Sequence, residues 1–196
     1  MLALPLHSTN HKAVESRSFM SPSTSSTQST SAVLQAKLQA WVVLLLSIVA
    51  DAYEYGAVIG KGAVIQAKDA EPLMPDVLFV PKECAKQVHA GHIEPNVAAL
   101  VVDVIHSGIT PAQRRALQQR YANARVLEYW QIEADKGKAF LHQANANGQY
   151  DEISPDKAGL HFSVVMEELA FPVKWFKQMP DLWTKMEWWG MISKEE

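Results

Sequence analysis

The chain has 196 residues, a formal net charge of −3 and one cysteine, with 48% hydrophobic and 20% charged residues. That length suits one domain, and the composition is that of a globular chain. The lone Cys84 excludes an intramolecular disulfide framework and a cysteine-based zinc cluster. The mild acidity excludes a globally basic nucleic-acid binder but leaves room for a local basic site.

Residues 1–31 carry nine Ser and four Thr, and positions 21–31 are nine-elevenths Ser or Thr. Such a stretch buries too little apolar surface to offset its ordering entropy. A disordered tail is expected over 1–31, with the folded domain over 32–196. Glu15 and the lack of an Arg-rich amphipathic pattern argue against a targeting peptide, so a cytoplasmic location is expected. Residues 41–50 are almost wholly apolar, about half the ~20 residues a membrane span needs. Leu34, Leu38, Trp41, Leu45 and Ile48 recur at helical spacing, which predicts a core helix and no membrane contact.

Residues 56–66 alternate Gly with Val and Ile, predicting a hairpin around Gly60-Lys61-Gly62. Residues 75–80 read as a short strand opened by Pro75 and closed by Pro81. The apolar run 98–105 has the pattern of a central strand covered on both faces. Thr110 and Pro111 are the N-cap and first position of a helix reaching about Ala124. A strand is expected over 126–133, then a hairpin of 138–143 with 149–153 around Asn145-Ala-Asn-Gly148. Residues 162–176 suggest a short helix followed by an extended piece. The pattern as a whole is α/β (α+β).

Asp103 stands inside the apolar run 100–105. A buried carboxylate costs several kcal/mol unless it is paired or binds a metal. Bonding to the backbone of the turn 106–108 is one account of it. The other is functional, because Asp76 follows Pro75 at the start of a strand 27 residues earlier. Two Asp on neighbouring strands can share Mg2+, which prefers oxygen ligands and activates water in phosphoryl chemistry. Between Gly108 and Leu127 stand Arg114, Arg115, Arg120 and Arg125 with no acid, a local charge of +4. Arg suits phosphate through its bidentate fork, though a solvated basic helix face reads the same.

The order Pro75-Asp76-Val-Leu-Phe-Val, Leu100-Val-Val-Asp103-Val-Ile-His-Ser107, Tyr121 and Glu128-Tyr129-Trp130 resembles the bacterial restriction-endonuclease family within the PD-(D/E)XK nuclease superfamily. The likeness runs from about Ala32 to Ile192. It implies a restriction-endonuclease-like mixed sheet flanked by helices and Mg2+-dependent hydrolysis of DNA phosphodiesters. Asp76 matches the family's Asp after Pro, and Asp103 the acid of its central strand, usually Glu. The superfamily places a Lys two residues after the second acid, where this chain has Ile105. The family generally carries that Lys in the next helix, four residues before its Tyr, where this chain has Leu117. No lysine stands between Lys86 and Lys136. The family's N-terminal acid has no clear counterpart, and Glu133 stands where Asp is usual. Arg114 or Arg115 is then the expected phosphate contact.

Other features carry less. His89 and His92 flank a Gly in a loop and match no zinc spacing, and His106 follows Asp103 by three residues as a possible base or phosphate contact. Cys84 lies near Lys82 and Lys86 without a partnering His, so it reads as a loop cysteine. Trp175, Trp183, Trp188 and Trp189 suit a core cover or a dimer contact. Two function classes stay open: a metal-dependent DNA endonuclease using Asp76, Asp103 and Arg114 or Arg115, and a catalytically inactive nucleic-acid-binding module on the same fold. A protein-interaction domain using the aromatic C-terminal segment is a third. A homodimer is expected, since cutting two strands suits two symmetric sites.

Overall fold

The computed structural model describes residues 25–66, 71–89, 92–106 and 108–193. Its first element is a helix, α1 (Ser25–Ala52). Leu38, Trp41, Val42, Leu45, Leu46, Val49 and Ala50 are all buried along it, which explains the helical recurrence of apolar residues. Over Ser31–Ala52 the helix is long and apolar enough to cross a membrane, yet these side chains pack into the main core. Of the tail expected over 1–31, residues 1–24 lie outside the described residues, and the backbone is helical from Ser25. Extending an existing helix fixes few torsions per hydrogen bond, so weak helix formers are carried along by the buried segment that follows.

Among the described residues eleven strands follow, six of them in one mixed sheet of order β1-β3-β6-β7-β8-β9. These are β1 (Gly56–Ile59), β3 (Val77–Pro81), β6 (Leu100–Ile105), β7 (Glu128–Glu133), β8 (Lys138–Ala144) and β9 (Tyr150–Ile153). All neighbours run antiparallel except β6 and β7, which are parallel and joined by α2 (Pro111–Asn123). A parallel pair needs such a crossover. Every residue of β6 and β7 is buried, as the apolar run predicts for a central strand. Alternation splits the core in two. Val77, Phe79, Leu100, Val102, Trp130 and Ile132 face α1. Leu78, Val80, Val101 and Tyr129 pack with Tyr121 of α2. Thr110 caps α2 in a reciprocal box with Gln113. The predicted hairpin of β8 with β9 forms, with Leu141 opposite Ile153.

Two expectations are corrected. Residues 56–66 do not form a hairpin: β1 pairs with β3, while β2 (Val64–Ile65) pairs parallel with β5 (His92–Ile93), which in turn meets β4 (Val88–His89). The edge of β3 offers β1 a longer ladder than the short return strand would. Within 162–176 the order is reversed. A hairpin of β10 (Leu160–Phe162) and β11 (Ala170–Pro172) precedes α3 (Trp175–Gln178), and α4 (Leu182–Trp188) follows. Phe171, Trp175 and Phe176 close the α1 face of the sheet, whereas Trp183 is 64% exposed.

Gly56 is required where β1 leaves the helix. Its φ is +153°, and an added Cβ would lie 2.1 Å from the Val80 carbonyl oxygen and 2.8 Å from Lys82 N. Gly56→Ala is expected to lower stability by about 3 kcal/mol, read as a shifted urea midpoint at unchanged slope.

Candidate active site

The sheet brings Asp76 and Asp103 together. Val77 pairs with Val102 across β3 and β6, so the preceding residue of one strand meets the following residue of the other. Asp76 sits half-buried at the mouth of β3. One of its oxygens accepts from Val104 N at 2.8 Å, next to Asp103, and the other accepts from Gln39 Nε2 of α1 at 2.7 Å. Asp103 is buried, and its two oxygens accept from the Tyr129 hydroxyl at 2.8 Å and the Tyr121 hydroxyl at 3.2 Å.

These hydroxyls are fixed as donors. Burial first, then the Asp103 charge, pushes both tyrosines far above their ordinary range, so they stay protonated. Gln131 Nε2 donates to the Tyr129 oxygen at 2.9 Å, which orients that hydroxyl toward Asp103. Tyr121 and Tyr129 also stack with centroids 4.6 Å apart. Gln118 of α2 continues the network to His142 at 2.7 Å. Burial lowers the His142 pKa, and the tautomer with Nδ1–H donating to Phe140 O at 3.2 Å leaves Nε2 to accept from Gln118.

The two carboxylates are electrostatically dissatisfied. Burial raises the Asp103 carboxyl to about 6, and the Asp76 charge adds to that rise against the opposing tyrosine hydrogen bonds. Burial raises Asp76 as well, against the Val104 N–H and the positive charge of Lys61. A cation between them would relieve both the repulsion and the desolvation. The donor set is two hard carboxylates. Among the described residues no group of three or more His, Cys, Asp or Glu is placed to hold a metal. That number fits Mg2+, which commonly binds through one or two carboxylates and completes its shell with water and substrate phosphate.

The arginines divide. Arg114 pairs with Glu133 at 2.7 Å and lies over the Phe140 ring at 4.4 Å, so its fork is turned to the sheet. Arg120 pairs with Glu71 at 3.1 Å. Arg115 is exposed on the far side of α2, beside Gln119, Gln149 and Tyr150. Two of the three positive charges of this helix are therefore met by acids, because Glu71 and Glu133 come from distant parts of the chain. Leu117, where the lysine was expected, lines a shallow cleft with His106, Gln113 and Arg120. His106 is exposed, and its Nδ1 accepts from Gly108 N at 3.0 Å. His92 is exposed, while the His89 side chain and Ser107 lie outside the described residues. Cys84 is half-buried against the core on the α2 side.

Sequence reading missed Gln39, Gln118, Gln131 and Lys61. Each is an ordinary polar residue whose meaning depends on which strand or helix it faces. Gln39 carried the one available signal, an amide among the apolar residues of α1.

Residues 16–175 match the Uma2 family, described as "Putative restriction endonuclease". The chain belongs to the Uma2 family. This Uma2 chain also resembles, by fold, the solved structure of "a putative nuclease belonging to DUF820" from Anabaena variabilis ATCC 29413. The TM-score is 0.59 at 10% identity, over 74% of this chain and 81% of that one. No curated protein sequence matches the chain. The restriction-endonuclease-like fold and the family resemblance drawn from the motifs are thus both found.

Proposed function

We propose that this Uma2 chain is a metal-dependent DNA endonuclease, with Asp76 and Asp103 as its acidic centre. The observation that supports the reading is the convergence of Asp76 and Asp103 from adjacent strands, where the Asp76 charge adds to the burial that raises the proton affinity of Asp103. A protein gains no stability from such a pair, so a positively charged ligand is its natural use. The reaction is phosphodiester hydrolysis: a water oxygen bonds to phosphorus and the bond from phosphorus to one sugar oxygen breaks. The two water hydrogens end on the phosphate product and the sugar hydroxyl. Mg2+ held by Asp76 and Asp103 would supply an acidified water and charge neutralisation at the phosphoryl group. Tyr121, Tyr129 and Gln39 hold the carboxylates in place. A cytoplasmic homodimer, with one site for each DNA strand, completes the proposal.

Incubation of supercoiled plasmid with Mg2+ or Mn2+ tests it. The wild type is expected to nick, and Asp76→Asn to nick at least about 100-fold more slowly. Nicking that survives in Asp76→Asn would place the chemistry elsewhere. The second reading, a binding module without catalysis, is favoured by Leu117 and by the engagement of Arg114 with Glu133. Salt-sensitive DNA binding without nicking in either metal is its signature.

A further inference from the structure

Strand register aligns three polar residues across the sheet, and a lysine stands at the same end of it. β1 pairs with β3 antiparallel as far as Ile59 opposite Leu78, and the chain then turns at Gly60-Lys61-Gly62, where Lys61 bridges to Ala63. The register of β3 with β6 continues from Val77 and Val102 to Asp76 and Asp103, and β6 with β7 pairs Asp103 with Gln131. Asp76, Asp103 and Gln131 thus form one row, and Lys61, two residues past the end of β1, stands at the same end of the antiparallel β1–β3 pair as Asp76. Ile59, the last residue of β1, packs against the core on the α2 side. Lys61 is exposed and forms no ion pair among the described residues. It is flanked by Gly60 and Gly62, and the Cβ direction of Gly62 has no atom within 4 Å, so the turn is open to an approaching group.

We propose that Lys61 replaces the lysine absent from α2, its ammonium holding a phosphate oxygen of the nucleic acid beside Asp76. The inference rests on the nuclease reading above. The positive charge of Lys61 already acts on the Asp76 carboxyl across the gap between the strands. The neighbouring α2 offers no equivalent, since Leu117 is apolar and Arg114 and Arg120 are held by Glu133 and Glu71. An ammonium needs only proximity, whereas a guanidinium needs fork geometry, so a lysine on an open turn can meet a phosphate from an unrelated strand. The charge developing on the phosphoryl oxygens during hydrolysis would be stabilised there.

The test uses the full chain, Lys61→Ala, and Lys82→Ala as a control, because Lys82 pairs with exposed Glu54 away from the row. Binding of a fluorescent DNA duplex is measured against salt in the absence of divalent metal, and nicking in its presence. For Lys61→Ala the slope of log affinity on log salt is expected to fall by about one, while Lys82→Ala keeps the wild-type slope. Nicking at saturating protein is expected to fall about 100-fold and to return in part when Leu117→Lys is added. An unchanged salt slope in Lys61→Ala overturns the contact, as does wild-type nicking by that variant. Absence of DNA binding by the wild type overturns it together with the nuclease reading. Wild-type binding without nicking, with the slope lowered in Lys61→Ala, keeps the Lys61 contact and removes only the nuclease reading.

Discussion

Glu128→Ala is expected to lose about 4 kcal/mol of stability, the largest loss of any single substitution considered for this chain. Glu128 is 1% exposed and accepts four hydrogen bonds on its two oxygens. Trp130 Nε1 at 2.7 Å and His161 Nε2 at 2.8 Å meet one oxygen, and the Ser163 hydroxyl at 2.7 Å and Val164 N at 3.0 Å meet the other. Truncation leaves three buried donors and the part-buried Val164 N without their acceptor, each desolvated group costing about 1–3 kcal/mol before relaxation. Partial collapse and water entry bring the sum down to the expected figure. Glu128→Gln keeps one acceptor oxygen and is expected to cost about half as much. In a domain of this size the Ala variant should melt roughly 10 °C lower. A loss under about 1 kcal/mol in urea unfolding would mean that the donors find other partners. The consequence reaches the candidate site, since Glu128 fixes the start of β7 on one face while Tyr129, the next residue, donates to Asp103 on the other.

Asp103→Asn is expected to gain about 2 kcal/mol of stability at pH 8 and nothing at pH 4, while losing nicking. Burial, aided by the Asp76 charge, lifts the Asp103 carboxyl from the ordinary 3.8 to about 6 in the folded chain. A raised folded-state pKa means that the native state prefers the protonated group. Its stabilising contribution is complete below the unfolded value and disappears as pH rises through about 6. Above that pH the charged carboxylate is a net cost that Asn does not carry. The amide oxygen keeps the bond from Tyr129, and the Tyr121 hydroxyl can turn to accept from the amide nitrogen, so the packing is kept. Urea unfolding of both proteins from pH 4 to 8 reads the difference directly, and equal stability at pH 8 would show that the buried charge costs nothing. If Asp76 and Asp103 hold Mg2+ as proposed, saturating Mg2+ at pH 8 should raise the stability of the wild type and leave Asp103→Asn nearly unmoved.

An opposite sign in these two carboxylates separates their roles. Glu128 is surrounded by donors and holds the fold, and its removal destabilises. Asp103 lies near another negative charge, so its removal relieves the fold and harms only the proposed chemistry.

The amino-acid sequence by itself determined the elements with strong local signals. Residues 98–105 could only be a covered central strand, Thr110-Pro111 could only open α2, and the Asn/Gly turn at 145–148 could only join β8 to β9. It also marked Asp76 and Asp103, since a carboxylate beside a proline-led strand or inside an apolar run violates the local pattern visibly. The order of these motifs was enough for the family. Tertiary structure decided the rest. Whether 56–66 folded on itself depended on the free edge of β3, which lies outside that segment. The order of strand and helix in 160–178 depended on the apolar face that α1 and the sheet left open, which drew in Phe171, Trp175 and Phe176. Gln39, Tyr121 and Tyr129 reach the two acids only because a helix, a crossover and a parallel strand meet there. The pairing of Arg114 of α2 with Glu133 of β7 depends on the crossover lying over the sheet, and Lys61 comes to the end of the sheet that holds Asp76 only because β1 and β3 run antiparallel. Hydrophobic periodicity is a local property that a sequence displays, whereas charge pairing needs partners from distant positions, and only the folded sheet brings those together.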